Sequence, residues 1–453
     1  MFFFLAVLSS AGVAERPGPI EDGYLLPNNW KITPVGKSVP TEDLLLNIQP
    51  SPDGRVMVAT HGGFNAHGLV VVDADSGEMV QEIALPTAWF GLAWNTAGSL
   101  LYVSGGNARK DPGAPVYVFS YADGRLSEKP VSKLAETVGA KNIFWAGVAC
   151  HPSKDVVFAA NRTAGNVVAF NASTGEILGR VTTEVNPYDL AITADGATLY
   201  CSNWASDSVS VIDTELLIVT GTISVGDNPG DLVLAKDGRL FVCCANDNTV
   251  VVIDTAQGRV VERIVTSLYE NAPEGATPNA LALADDGKTL YIANADNYNV
   301  CVVDVRDKGE STVLGFIPSG WYPSAIAVGS EDQRLFVGNA KGNASSANIR
   351  GPHSPLPAGT EGKGTTKSLM KGTIQVIDMP SRRKALRKLT QQCYANCPYN
   401  DSLLVTARPA TEPTVVPAEV GVGSRIKHVI YIIQENRTYD QVLGDMPQGN
   451  GDA

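Results

Sequence analysis

Ala280-Leu-Ala-Leu-Ala-Asp-Asp-Gly-Lys-Thr-Leu-Tyr-Ile-Ala-Asn294, closed shortly afterwards by Val302-Val303-Asp304, decides the fold. Short apolar runs flank Asp286-Gly287 on both sides and read as two antiparallel strands joined by a tight turn. The unit recurs from Asp189 to Asn203, closing at Val211-Ile212-Asp213, and from Asp231 to Asn246, closing at Val252-Ile253-Asp254. Asp213, Asp254 and Asp304 follow one another at about 40–50 residues, the length of a propeller blade. Fainter copies extend the array both ways. Ser51-Pro-Asp-Gly54 leads to Val71-Val72-Asp73, Asn95-Thr-Ala-Gly98 to Val116-Tyr-Val-Phe119, and His151-Pro-Ser-Lys154 through Asn161 to Val167-Val-Ala-Phe170. Ser324 to Val328 leads through Asn339 to Ile374-Gln-Val-Ile-Asp378. Seven units result.

One such unit cannot bury both faces alone; stacked around an axis, the units cover one another and leave only short edges. The expected fold is therefore all-β, a seven-bladed β-propeller spanning about 29–396. The recurring Asn161, Asn203, Asn246, Asn294 and Asn339 read as turn-formers. The extra residue between Gly238 and Asn246 reads as a β-bulge. Ring closure is expected from Trp30 to Val35 pairing beside Ile374 to Ile377. The segment Pro380 to Gln392, rich in helix formers, is expected to leave the ring as a helix. An insertion over 341–371, rich in Gly, Ser, Pro and Lys, reads as a loop with a local basic cluster of Arg350, His353, Lys363, Lys367 and Lys371, either solvated or facing an acidic partner.

The strands Leu199-Tyr-Cys-Ser-Asn203, Leu290-Tyr-Ile-Ala-Asn294 and Leu335-Phe-Val-Gly-Asn339 resemble the YVTN-type (YncE-like) β-propeller repeat, in which they precede a Val-x-Val-Ile-Asp strand. The resemblance covers about Leu44 to Asp378. It implies architecture rather than activity, because the fold hosts binders, scaffolds and a few enzymes.

Composition agrees with many short strands: 44 Gly, 27 Pro and only 18% charged residues. A net charge of −12 repels phosphate backbones and anionic lipid surfaces, so nucleic acid is not an expected partner. Phe2 to Leu8 followed by small residues to Ala14 has the shape of a signal peptide over 1–14, without the usual basic start, and implies a secreted or periplasmic protein. No apolar run reaches membrane-spanning length. Seven cysteines show no zinc spacing, and those in strand-like runs read as small buried hydrophobes. Cys393 and Cys397 either stay reduced or form a short disulfide.

Aromatic residues precede several inner strands: Trp89, Phe90, Phe144, Trp145, Tyr188, Trp321 and Tyr322. Loops of this kind converge on one face of a propeller. Trp89, Phe90, Trp145, Tyr188, Trp321 and Tyr322 are accordingly candidate ligand-binding residues for a small molecule or protein, with no cofactor expected in the propeller itself. His61 and His67 share a Gly-rich loop but lack a third metal ligand, and read as surface residues.

After a Pro-punctuated linker over 397–425 the pattern changes. Lys427-His-Val-Ile-Tyr-Ile-Ile433 is a continuous apolar run, as in a strand buried on both faces of a parallel sheet, and polar residues follow directly. Ile426 to Asp440, with its Gln434-Glu435-Asn436-Arg437-Thr438-Tyr439-Asp440, resembles the opening of the phosphoesterase family that includes bacterial phospholipases C and acid phosphatases, in the alkaline phosphatase superfamily. Thr438-Tyr439 stands where that family has Ser-Phe. The resemblance implies that 426–453 is the first strand and helix of a truncated α/β domain. It further implies that Glu435 and Asn436 belong to a divalent-metal centre of the complete domain, and that the nucleophile lies beyond Ala453. The fragment is then expected to be inactive, with no catalytic residue of its own. The competing readings are a stand-alone secreted binding or scaffold propeller, and a propeller enzyme acting in the channel.

Overall fold

The computed structural model describes residues 17–107, 115–135, 143–269, 272–329, 333–346, 348–349, 365–379, 383–399, 415–416 and 424–430. These divide into two units, split after Pro398. In the first, seven antiparallel sheets follow one another along the chain. Blade one runs from Leu45 to Leu85, two from Leu92 to Leu134, three from Phe144 to Thr182 and four from Pro187 to Ser224. Blade five runs from Pro229 to Val265, six from Pro278 to Pro318 and seven from Pro323 to Asp378. The fold is the seven-bladed propeller the repeats predict.

Each blade grades from core to solvent. Second strands such as Val56–His61 and Arg239–Cys244 are buried at every residue, whereas the fourth strand Ile218–Ser224 alternates between covered and exposed. Period-two sequence therefore marks the outer strands, and continuous apolar sequence the strands sandwiched by neighbouring blades. The core is a ring of clusters between blades. Between seven and one, Leu45, Met57 and Val70 meet Phe336, Ile374 and Val376.

A strand from before blade one closes the ring, but five to seven residues later than expected. Lys37–Pro40 pairs with Thr373 to Val376 as the fourth strand of blade seven, with Val39 opposite Ile374. Lys31–Ile32 instead joins Gly18–Ile20 and Gly23–Leu25 in a small separate sheet. Val39 is buried, and its alternation with exposed Lys37, Ser38 and Pro40 is what suits this segment to an outer strand.

Four other expectations are corrected. Asn161, Asn203, Asn294 and Asn339 are buried strand-end residues rather than left-handed turn residues; Asn203 Nδ2 donates to Ser208 and Ser210 Oγ at 3.1 and 2.9 Å. The left-handed positions fall later, at Asp207, Asn248 and Tyr298. In blade five the strand is regular, with Cys244 at the position of Asn203, because its preceding turn is one residue shorter; Asn246 lies in the next turn. Helix Arg383–Asn396 does not leave the ring. It lies along the outer strand Thr312–Pro318 of blade six, where Phe316 N–H donates to Thr390 Oγ1 at 2.9 Å and Leu386 and Cys393 are buried. Cys393 is a free thiol there, so no disulfide joins it to Cys397. Finally, of the strand expected over Lys427 to Ile433, Lys427 to Ile430 are not in a strand and are exposed, Val429 and Ile430 at 82% and 87%, and 431–433 lie outside the described residues.

Candidate functional site

The inner strands of all seven blades enclose a channel cavity of about 290 Å³, lined among others by Asn47, Phe90, Asp189, Asp231 and Asp285. In blades four to seven the inner strand begins with proline, at Pro187, Pro229, Pro278 and Pro323, and the residue before it is left-handed: Asn186, Asn228, Thr277 and Tyr322, with φ of 58°, 53°, 54° and 64°. Asparagine tolerates this conformation; a β-branched threonine or a bulky tyrosine is strained in it. Strain thus collects at the channel mouth in blades six and seven.

Two residues into each of these strands the ladder is interrupted by a bulge, which turns backbone N–H groups away from their own sheet. In blades four and five the residue there is aspartate. Asp189 Oδ2 accepts the Leu232 N–H at 3.0 Å, and Asp231 Oδ2 accepts the Leu281 N–H at 2.6 Å, so each carboxyl ties its blade to the next. The two buried carboxyls also interact with each other, and a proton held by the pair would relieve the repulsion of two like charges. Burial, opposed by the backbone donors, pushes Asp189 up to about 6; burial and then the Asp189 charge hold Asp231 well above the carboxylate range. Corresponding positions elsewhere hold Asn47, Gly91, Gly147, Ala280 and Ala325. Sequence reading passed over this pair. Its signal was present, as the aspartates that open two consecutive repeats where the others have small residues or Asn.

The aromatic candidates separate into three groups. Phe90 and Tyr188 stack at 5.0 Å between centroids, and they can meet because the intervening blade offers only Gly147. Burial, then the Asp189 charge, raises the Tyr188 hydroxyl far above its usual range. Trp89 is half-buried, edge-on to Phe144 at 5.0 Å, and Tyr322 lies 4.4 Å beneath the Lys341 ammonium. Trp145 is fully buried against Phe170 between blades two and three, and Trp321 packs with Leu26, Ile32 and Tyr298 beside the N-terminal sheet. Sequence reading also missed Arg162, whose guanidinium lies 5.7 Å from the Phe144 ring and 5.6 Å from the Trp204 ring. Among the described residues no carboxylate lies within 4.0 Å of the Arg162 guanidinium or the Lys341 ammonium.

His61 is buried at the strand end equivalent to Asn203, not at the surface. Its Nδ1 lies 3.1 Å from the Ala66 carbonyl, which can only accept, and burial lowers its pKa. Among the described residues no three His, Cys, Asp or Glu side chains are placed to hold a metal ion, and no helix is long and apolar enough to cross a membrane. Glu435 and Asn436, residues 1–14, and Arg350, His353 and Lys363 lie outside the described residues.

Seven antiparallel blades, five of four strands and two of five, around a channel with a ligand-sized cavity define a β-propeller domain of the binding or scaffold kind. Comparison with known proteins adds that residues 131–349 match the family described as YNCE-like beta-propeller. The chain is 27% identical to YncE of Salmonella typhi over 251 residues, 52% of this chain and 66% of that protein. It is also 27% identical to Antigen Lp49 of Leptospira interrogans over 188 residues, 40% of this chain and 36% of the antigen. The matched stretch thus spans about a third of one relative and just under two thirds of the other. Among solved structures, Kuenenia stuttgartiensis hydrazine synthase shares the fold, with a TM-score of 0.54 at 19% identity over 66% of this chain and 93% of that one.

Proposed function

We propose that the propeller is the ligand-binding part of an exported protein that also carries a metal-dependent phosphoesterase domain opening at Ile426. The observation that carries this reading is the Gln434-Glu435-Asn436-Arg437 sequence directly after the apolar run 427–433. A carboxylate with an adjacent amide suits a hard or borderline divalent cation, whose chemistry in such enzymes is to stabilise both oxygens of a phosphoryl displacement. Glu435 would supply the carboxylate and Asn436 would sit beside the phosphate. The propeller contributes the channel, whose cavity is lined by Phe90, and the aromatic side chains at the starts of its inner strands, where Tyr188 stacks on Phe90 and Trp89 on Phe144.

Expression of the complete gene product tests the reading. Metal-dependent hydrolysis of phosphate esters is expected in an extracytoplasmic fraction and is lost in Glu435→Ala, whereas chain 1–453 alone shows none. Turnover unaffected by Glu435→Ala would remove the phosphoesterase half. The second reading is a stand-alone binding or scaffold propeller, supported by the match of residues 131–349 to a propeller family, in which the full product is inactive under every metal tried.

A further inference from the structure

Arg162 and Lys341 are cations on a molecule of net charge −12, yet each is held by aromatic rings instead of a carboxylate. Arg162 extends from the turn after Val156–Asn161 and rests against Phe144 of its own blade and Trp204 of the next. Phe144, Tyr188 and Tyr322 stand at the starts of the inner strands of blades three, four and seven, so Arg162 on the Phe144 ring, Tyr188 and Tyr322 share one face of the ring around the channel. Lys341 lies over Tyr322 and Trp321 on that opposite side, at 4.4 and 5.5 Å, and the tyrosine beneath it is strained into the left-handed region. Rings hold a cation in place without neutralising it and leave its N–H donors open. The half-exposed Trp204 ring, 36% accessible, extends the surface outward.

We infer that the channel mouth binds a small aromatic anion, with its carboxylate or phosphate on Arg162, its flat body over the Tyr188 and Tyr322 rings, and Lys341 as the second positive point. A guanidinium presents a planar fork that matches either anionic group, and a stacked guanidinium is already oriented to do so. A proton held by the Asp189–Asp231 pair would reduce the negative charge beneath the mouth. This inference rests on the propeller being a ligand-binding domain and is independent of the phosphoesterase reading.

Titration of chain 1–453 with phenyl phosphate, benzoate, inorganic phosphate and benzylamine, followed by calorimetry and tryptophan fluorescence, tests it. Phenyl phosphate and benzoate should bind and quench fluorescence, with phenyl phosphate at least about tenfold tighter than inorganic phosphate, as expected for one stacked ring. Arg162→Gln should weaken both about tenfold or more without shifting the melting temperature, and Arg162→Lys should recover part of the loss. Binding unchanged in both Arg162→Gln and Lys341→Gln would overturn the inference. So would preferential binding of benzylamine, although a ligand-binding channel would then still stand. If none of the four probes bound, the inference and the binding role of the mouth would both fail.

Discussion

At neutral pH the Asp189–Asp231 pair retains a proton that an isolated carboxylate would have released, and stability must respond to it. Because the folded pKa of Asp189 is raised from 3.8 to about 6, its contribution is fully present below the unfolded value near 4 and is lost as pH rises through 6. A rise of that size corresponds to at most about 3 kcal/mol for two carboxyls that share one proton. Tyr188, Cys201 and Cys243 around the pair stay neutral over this range, since burial raises all three. Asp231→Asn keeps an oxygen for the Leu281 N–H and adds an N–H toward Asp189. It should therefore melt higher than wild type at pH 8, by several degrees, and equal to it near pH 4.5. Thermal melts of both proteins across pH 4.5–8.5 check this, and their difference cancels groups common to both, such as the buried His61. A constant difference at all pH values would mean that the pair shares no proton. Both aspartates stand in plain view in the repeats, but only tertiary structure shows that a bulge in one blade and a carboxyl in its neighbour face each other.

Strands were more legible than the helix and the closing segment. The Asp-Gly turns and apolar runs mark the inner three strands of most blades, because burial between two neighbours demands uninterrupted apolar sequence. Lys37 to Pro40 carries a single buried residue, Val39, and so offers almost no period to read. The helix was expected from its composition, but its docking was not, because its contacts come from single residues on a mainly polar segment. Gly315 shows how close the approach is: a Cβ there would lie 2.3 Å from Thr390 Oγ1. Leu386→Ala should lower stability by about 2–3 kcal/mol through lost burial and a residual cavity, measured by urea denaturation. A loss under about 0.5 kcal/mol would mean that the helix is not held against blade six in solution.

For the molecule as a whole, blade seven borrows its fourth strand from the other end of the chain, and the cluster between blades seven and one depends on that loan. Val39→Asp places a charge beside Ile374 and Val376 and should cost about 3 kcal/mol or more, broadening or splitting the thermal transition as the seam opens. A single sharp transition at the wild-type temperature would show the seam to be unimportant. The same loan sets a schedule for biosynthesis. Residues 37–40 are made early and their partners at 373–376 more than three hundred residues later, an interval of tens of seconds at about 5–20 residues per second. Throughout that interval the six finished blades form an open arc with an unpaired border at each end, a shape prone to capturing strands from neighbouring nascent chains. The ring is thus most vulnerable while it is being made, and whatever accompanies the chain to its destination must shield two edges that the mature molecule no longer has.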